Sequence, residues 1–304
     1  MKTPIRLFVV SGLTLCAALW AMSGIAHAQI FVSSFGSTTI GEYNLDGTTI
    51  NPSAISGLGG NTLSIAVSGG DIFVANNYGN VFEYTTSGAF VDLVATGLGL
   101  PWGIAVSGGD VYVANELTSS TGIIGEYTTS GATVNASLIS GLNYVDGITV
   151  SGGDLFVSTY GIAYNSGTIG EYTTSGATVN ASLVSGLYAP WGLAVSGGDL
   201  FVANQNGGTI GEYNLDGTPI NASLVSGLSD PTGLAVSGTN LFVANFGNGT
   251  IGEYTTSGAT VSNSLVSGLG NPTGLAVEPT PEPTTLALAG LGGLSLMLFR
   301  RRRK

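Results

Sequence analysis

Five residues in the middle of the chain carry side chains suited to holding a small molecule. Trp102 and Trp191 stand in the matched contexts LPWG and APWG. The segment NYVDG between them supplies Tyr144 and Asp146, and Tyr188 lies three residues before Trp191. Flat rings beside hydrogen-bonding groups and a carboxylate suit a sugar or a small organic ligand. The same tryptophans can equally serve as packing between repeated units. No catalytic residue is expected, because of what the surrounding chain lacks. From Gln29 to Val277 there is no Lys, Arg, His, Cys or Met. That removes imidazole bases, thiolates, Schiff-base lysines and arginine clamps. It also removes disulfides and Cys/His zinc sites. The stretch holds 16 of the 18 carboxylates. Nucleic acid would meet a field of its own sign there, so it is not an expected partner. A calcium site of carboxylates and carbonyls stays open. Because no D-x-D-x-D-G run occurs, no cofactor is expected. Asp146 with Asn115 and Asn204 offers metal ligands, but without a second convergent carboxylate.

The elements that must position these residues are repeats. A strand such as LFVAN begins at Ile30, Ile72, Val111, Leu155, Leu200 and Leu241, at intervals of 39 to 45 residues. A phrase ending in Glu-Tyr follows each copy, from Glu42-Tyr43 to Glu253-Tyr254, and six copies of a GLAV-like run complete the set. GLAV reads as a buried strand. SGGD is a tight turn in which glycine supplies positive φ. LFVAN, TIGEY and ATVNASLVSGL are three further strands. Four antiparallel strands in about 40 residues describe one blade of a β-propeller. A β-solenoid is the rival, with coils that are usually shorter and more uniform. The phase of the chain favours the propeller. It starts in mid-repeat at Ile30 and stops after GLAV at Val277. Pairing Gly274–Val277 with Ile30–Ser34 therefore completes a sixth blade and leaves no open end blades.

In such a ring, the start of each innermost strand and the end of the second strand share one face. Two circles of residues are expected near the channel mouth. One is Ser34, Asn76, Asn115, Thr159, Asn204 and Asn245. These residue types also cap strand ends and satisfy loop amides. The other is Leu63, Trp102, Asp146, Trp191, Thr232 and Thr273, whose variety marks departures from the repeat. The loops expected at Glu116–Gly122 and Tyr160–Gly167 are the longest on this face.

The two ends read as addresses. Lys2 and Arg6, the mostly apolar run Leu7–Trp20 and the small-x-small triplet Ala26-His27-Ala28 form a secretory signal. Residues 1–28 are thus expected to be removed between Ala28 and Gln29, with acylation of Cys16 as the rival. Residues 29–277 form the propeller. Residues 278–304 contain Pro281-Glu282-Pro283, an apolar run Thr284–Phe299 and five basic residues, Arg300–Lys304. A helix over that run would span ~24 Å, short of a bilayer core of ~30 Å, with its basic end cytoplasmic. A simple tail anchor is one reading. The order and spacing also resemble the PEP-CTERM sorting signal of Gram-negative bacteria. That resemblance implies an exosortase-type partner, a transient transmembrane helix, processing near Pro281-Glu282-Pro283, and transfer to the cell surface or extracellular matrix.

The body, with P-x-G-L-A-V-x-x-x-x-L-F-V-A-N, resembles NHL-type repeats and the gluconolactonase and streptogramin-lyase propellers. Asn often replaces the usual Asp of that repeat, and its usual Arg is missing. For a lactonase the resemblance implies a divalent metal held by Glu and Asn or Asp in the channel; for the lyase it implies a catalytic histidine, which the body lacks. Two functions follow as expectations. The first is an exported, non-catalytic surface protein that binds exopolysaccharide or another surface protein, or is purely structural. The second is a metal-dependent, lactonase-like hydrolase working in the channel.

Overall fold

A computed structural model of the chain describes residues 28–278, apart from 119 and 162. The expected signal segment, the sorting motif and the apolar run before the basic tail lie outside these residues. The described residues form six four-stranded antiparallel sheets, each one blade. Blade 1 holds β1 (Gln29–Ser34), β2 (Ile40–Asn44) and β3 (Thr49–Ile55), with its innermost strand supplied by β24 (Pro272–Glu278). Blade 2 runs through β4 (Thr62–Ser68), β5 (Asp71–Asn76), β6 (Asn80–Thr85) and β7 (Phe90–Ala95). Blade 3 comprises β8 (Leu100–Ser107), β9 (Asp110–Thr118), β10 (Thr121–Thr128) and β11 (Thr133–Leu142). In blade 4 the strands are β12 (Val145–Ser151), β13 (Asp154–Thr159), β14 (Gly167–Thr173) and β15 (Thr178–Leu187). Blade 5 has β16 (Pro190–Ser196), β17 (Asp199–Asn204), β18 (Thr209–Asn214) and β19 (Pro219–Ser226). Blade 6 closes the set with β20 (Pro231–Ser237), β21 (Asn240–Asn245), β22 (Thr250–Thr255) and β23 (Thr260–Val266). Each innermost strand touches the innermost strand of the next blade, and β24 touches β4, so the ring is closed.

Closure runs through the pairs Ile30↔Val277, Phe31↔Ala276 and Val32↔Leu275. The ladder also takes in Gln29↔Glu278, one residue past the boundary at Val277 that the repeat implies. Glu278 therefore belongs to the last strand rather than to the segment that follows.

The apolar run LFVA follows from burial on both sides. Successive side chains of a strand point to opposite faces. In β5, Ile72 and Val74 pack with Phe31, Ile40 and Ile55 of blade 1. Phe73 and Ala75 turn the other way and pack with Val111, Val113 and Tyr127 of blade 3. The other second strands repeat this division, so six apolar clusters fill the six interfaces between blades. The turns behave as their glycines require: Gly69 and Gly70 have φ of 65° and 87°, the positive pair of a type I′ hairpin. The glycine of TIGEY has a different cause. The ring of Tyr43 folds back over Gly41, where a Cβ would meet the tyrosine hydroxyl at 2.8 Å. The glycine that opens GLAV answers a third need, since a methyl on Gly192 would overlap the Thr232 carbonyl oxygen of the next blade.

The glutamates of the Glu-Tyr phrase have no cationic side chain to pair with, because residues 29–277 contain none. Burial and the neighbouring aspartate together hold them above the usual carboxylate range: Glu83 by Asp71 and Asp92, Glu126 by Asp110, Glu171 by Asp154, and Glu212 by Asp199. In blade 1, burial and then Glu278 do the same to Glu42. Blade 6 differs, because Asn240 stands in place of the aspartate and donates to Glu253 at 2.8 Å.

Two outcomes follow. Removing Gln29–Ser34 leaves β24 and β2 without their shared partner. The truncated chain should lose the cooperative melting of the whole ring, and melting at the parent's temperature would show that closure contributes nothing. The second outcome concerns pH. Glutamates with raised folded-state pKa values bind more protons in the folded chain than in the unfolded one. Stability therefore falls as pH rises through the window between the ordinary and the raised values. Asp46 and Asp216 act the other way: hydrogen bonds from Thr48 and Thr218 lower their pKa values, so their contribution is lost only in stronger acid. At low salt the melting temperature should be higher at pH 5 than at pH 7.5. A melting temperature that rises from pH 5 to pH 7.5 would contradict it.

Candidate functional site

Each innermost strand enters its blade through an irregularity. β8 pairs Pro101↔Asn115 and then Gly103↔Ala114, which leaves Trp102 between the two pairs. β16 skips from Pro190↔Asn204 to Leu193↔Val202, and β12 from Val145↔Thr159 to Ile148↔Val157. The irregularities hold Trp191 and Asp146. Such a bulge re-aims the side chain it carries. Here it brings the indoles of Trp102 and Trp191 together across blade 4, with centroids 5.4 Å apart and planes at 82°. Both line a central cavity of about 70 Å³, walled by inner-strand glycines such as Gly103, Gly147 and Gly274.

Trp191 is fixed from its own backbone. The Ser158 hydroxyl accepts from the Gly147 N–H at 2.7 Å and donates to the Trp191 carbonyl at 2.7 Å. Trp102 is fixed from its ring, since its Nε1 donates to Glu116 Oε2 at 2.9 Å. Glu116 was expected only as the start of a loop. The chain there instead extends the hairpin, pairing Gly122↔Glu116 and Thr121↔Thr118, which satisfies backbone groups a loop would leave open. The expected loop at Glu116–Gly122 is thus mostly strand, and its glutamate is delivered to the channel mouth.

Asp146 is 7% exposed, and its Oδ2 is buried without a hydrogen-bond partner. Burial first, and the charge of Glu116 second, hold its carboxyl well above the usual range. The expectation that Asp146 stands without a second carboxylate is therefore corrected. The metal grouping with Asn115 and Asn204 is not assembled. Asn115 accepts from the Gly99 N–H at 2.9 Å, and Asn204 donates to Thr209 Oγ1 at 3.3 Å. Among the described residues, no three or more His, Cys, Asp or Glu side chains form a group that could hold a metal ion.

The other expected circle does not line the central cavity. Its side chains bond nearby: Asn76 and Asn115 to backbone groups of adjacent loops, and Thr159, Asn204 and Asn245 to a threonine on the next strand of their own blade. Asn76 donates to the Leu58 carbonyl at 2.8 Å and accepts from the Tyr78 and Asn80 N–H groups at 3.1 Å each. Ser34 is tied through its backbone to Thr62 Oγ1, Thr159 meets Thr168 Oγ1 at 2.8 Å, and Asn245 donates to Thr250 Oγ1 at 3.3 Å. Leu63, Thr232 and Thr273 are buried. Thr232 donates to the Pro272 carbonyl at 2.9 Å and Thr273 to the Thr62 carbonyl at 3.2 Å, each linking one blade to the next.

Tyr188 and Tyr144 belong elsewhere on blade 4, on either side of the loop 160–166. The Tyr188 ring lies against Tyr164, with centroids 4.4 Å apart and planes at 57°, and Tyr164 is 73% exposed. Beside them Asn206 donates to the Tyr160 hydroxyl at 2.8 Å. A cavity of about 210 Å³ lies among these tyrosines. It shares Tyr164 and Tyr188 with a cavity of about 550 Å³ that reaches Asn165, Thr209 and Tyr213. On the far side it shares Gly161 with one of about 430 Å³ lined by Asn143, Tyr144, Thr159 and Thr168. No charged residue lines any of the three. Tyr144 adopts φ 49°, where blades 5 and 6 lead into the next blade with Asp230 (49°) and Asn271 (53°). A bulky residue in that region is strained. Tyr160 and Tyr164, in the loop, were not singled out from the sequence. Their signal was there as two of the aromatics within an insertion that the other repeats lack.

Comparison with solved structures gives the same architecture. A chain from the crystal structure of a nidogen/laminin complex superposes with a TM-score of 0.72 at 15% identity, over 82% of this chain and 98% of its own. A protein of unknown function from Bacteroides caccae gives 0.64 at 16%, over 84% and 100%. A streptogramin B lyase structure gives 0.60 at 20%, over 82% and 83%. At these identities the likeness is one of fold. No curated protein matches the chain. Residues 279–303 match the PEP-CTERM protein-sorting motif, so the propeller carries a signal that implies export, processing by an exosortase and sorting to the cell surface.

Proposed function

We propose that the protein is a non-catalytic binding propeller of the cell surface, and that the face of blade 4 around the loop 160–166 holds a neutral glycan. The pair of exposed Tyr164 and half-buried Tyr188 carries this reading, set in three adjoining cavities that no charged residue lines. The faces of such aromatic rings offer apolar contact to a sugar ring. The amides of Asn143, Asn165 and Asn206 and the hydroxyls of Thr159 and Thr168 offer donors and acceptors to its hydroxyls. The row of cavities on both sides of one loop suits several sugar units in sequence. An acidic polysaccharide is disfavoured, because 16 carboxylates and no cation occupy residues 29–277. Absence of His, Cys, Lys and Arg from that stretch supports a binding role over acid–base or nucleophilic chemistry.

The test is a screen of the purified protein against neutral, amino and acidic oligosaccharides, followed by calorimetry. Neutral glycans should bind. Tyr164→Ala with Tyr188→Ala should weaken that binding by roughly tenfold, while melting stays near the parent's because Tyr164 is exposed. Unchanged affinity in the double variant, or selection of acidic glycans only, would remove the tyrosine face from consideration.

A further inference from the structure

The outer edge of blade 2 breaks the repeat, and neither the tyrosine face nor the central cavity includes it. We propose that this edge is a membrane-contact surface: while the tail holds the chain at a bilayer, Phe90, Val91 and Leu93 rest in the lipid interface. Tyr84 pairs with Phe90, where the matching tyrosine of the other five blades pairs with threonine or proline. Phe82 stands where those blades have glycine, and it pairs with Leu93. Directly opposed side chains share a face, so Phe82, Tyr84, Phe90 and Leu93 line one face of the β6–β7 hairpin. The Tyr84 ring centroid lies 6.3 Å from that of Phe82 and 5.6 Å from that of Phe90. Glu83 and Asp92 form the pair between them and point to the opposite face. An irregularity in the ladder after Glu83 adds Val91 to the edge. Phe90 is 58% exposed, Val91 47% and Leu93 40%. Each other outer strand exposes one large apolar side chain, such as Val179 or Val261.

The place where the chain leaves the ring selects the occupant. β24 ends at Glu278, paired with Gln29, on the side of the SGGD turns and opposite the loop 160–166. That exit adjoins blade 2. The Thr86 hydroxyl reaches the Glu278 carboxyl. The turn 85–88 lies against blade 1, where a Cβ on Gly88 would overlap the Ala54 carbonyl oxygen. Phe82 and Tyr84 pack with Phe31, Ile40 and Ile55, so the apolar face of the hairpin looks toward the blade from which the chain departs. Beyond Glu278, Pro-Thr-Pro-Glu-Pro leads to the apolar run at Thr284. Six residue steps from Glu278 to Thr284 reach at most ~22 Å at ~3.6 Å each. A body held that close to a bilayer presents the surface beside its exit. Aromatic and aliphatic side chains are stabilised at a membrane interface. Residues 29–277 offer no cation to lipid phosphates, so the contact is apolar and a zwitterionic bilayer fits it. A second copy fits less well, because two β7 edges side by side would bring Asp92 against a like charge. Lipid contact at this edge leaves the tyrosine face pointing away from the membrane.

The chain is expressed without an exosortase, so that it keeps its tail, and with Cys16→Ser, so that an introduced cysteine is its only one. Val91→Cys, and separately the matching Val179→Cys and Val261→Cys, carry an environment-sensitive dye. Each is reconstituted into phosphatidylcholine vesicles with plain or brominated acyl chains. Brominated lipid should quench the dye at Val91 about twofold more than the dye at Val179 or Val261, because apolar burial in the interface holds that edge down. Phe90→Ser with Leu93→Ser, whose melting is checked first, should bring quenching at Val91 to the level of the other two. Comparison of the three positions in the parent decides even where that variant fails to fold. Tyr164→Ala with Tyr188→Ala should change nothing. Equal quenching at the three positions, quenching that the folded double serine variant leaves intact, or failure of the chain to float with the vesicles would each overturn the assignment. A dye at Val91 that responds to protein concentration in detergent but not to brominated lipid would assign the edge to a second copy instead. None of these results bears on the tyrosine face, which the glycan screen tests.

Discussion

The pairing of β1 with β24 is the constraint on which the rest of this structure depends. Each blade buries both of its faces, so none can be an end. Ile72 and Val74 need blade 1 as much as Phe73 and Ala75 need blade 3. A linear stack would expose one apolar face at each terminus. Here the Ile30↔Val277 and Val32↔Leu275 pairs join the ends by backbone hydrogen bonds, and the sixth interface fills with Phe242, Ile251 and Leu275. No disulfide and no pair of oppositely charged side chains takes part in residues 29–277, because that stretch holds no Cys, Lys, Arg or His.

The ring also brings distant residues together. Trp102 and Trp191 are separated by a whole blade in sequence, yet their rings touch because the inner strands converge on a narrow axis. Convergence demands glycine at the contact, as at Gly103 beside the Asp146 carbonyl, where a Cβ would lie 2.5 Å from oxygen. The residue before each glycine is then free to differ. Thr232 and Thr273 use that freedom to tie blades together, whereas Trp102 and Trp191 bring indole rings to the central cavity.

The blades were legible in the sequence because local pattern and global fold agree there. GLAV, SGGD, LFVAN and TIGEY each carry their own propensity, and the cut between Val277 and Ile30 shows closure directly. The candidate site was legible only in part. Variety in the second circle marks Trp102, Asp146 and Trp191, but Tyr144 and Tyr188 line other cavities, beside the loop of blade 4. Glu116 was hidden because it follows Asn115, where every other copy of the repeat ends its strand; the hairpin that carries it onward exists only through cross-strand pairing with Thr121 and Gly122. The Asn circle was legible in its capping role, because such residue types suit loop amides, and Asn76 accepts from the Tyr78 and Asn80 N–H groups as that role requires.

Placing the inner strand of blade 1 at the far end of the chain also sets an order of events. Residues 272–278 are the last of the ring to be synthesised and the last to cross a membrane when the chain passes through N-terminus first. Until they emerge, blade 1 has three strands and the interface with blade 6 stays open. Five blades can assemble during transit, but the finished ring waits for the end of translocation. The matched segment at 279–303 begins immediately after that strand. A cut beyond Glu278 therefore removes no ladder partner, so processing can release the tail from a ring that is already locked.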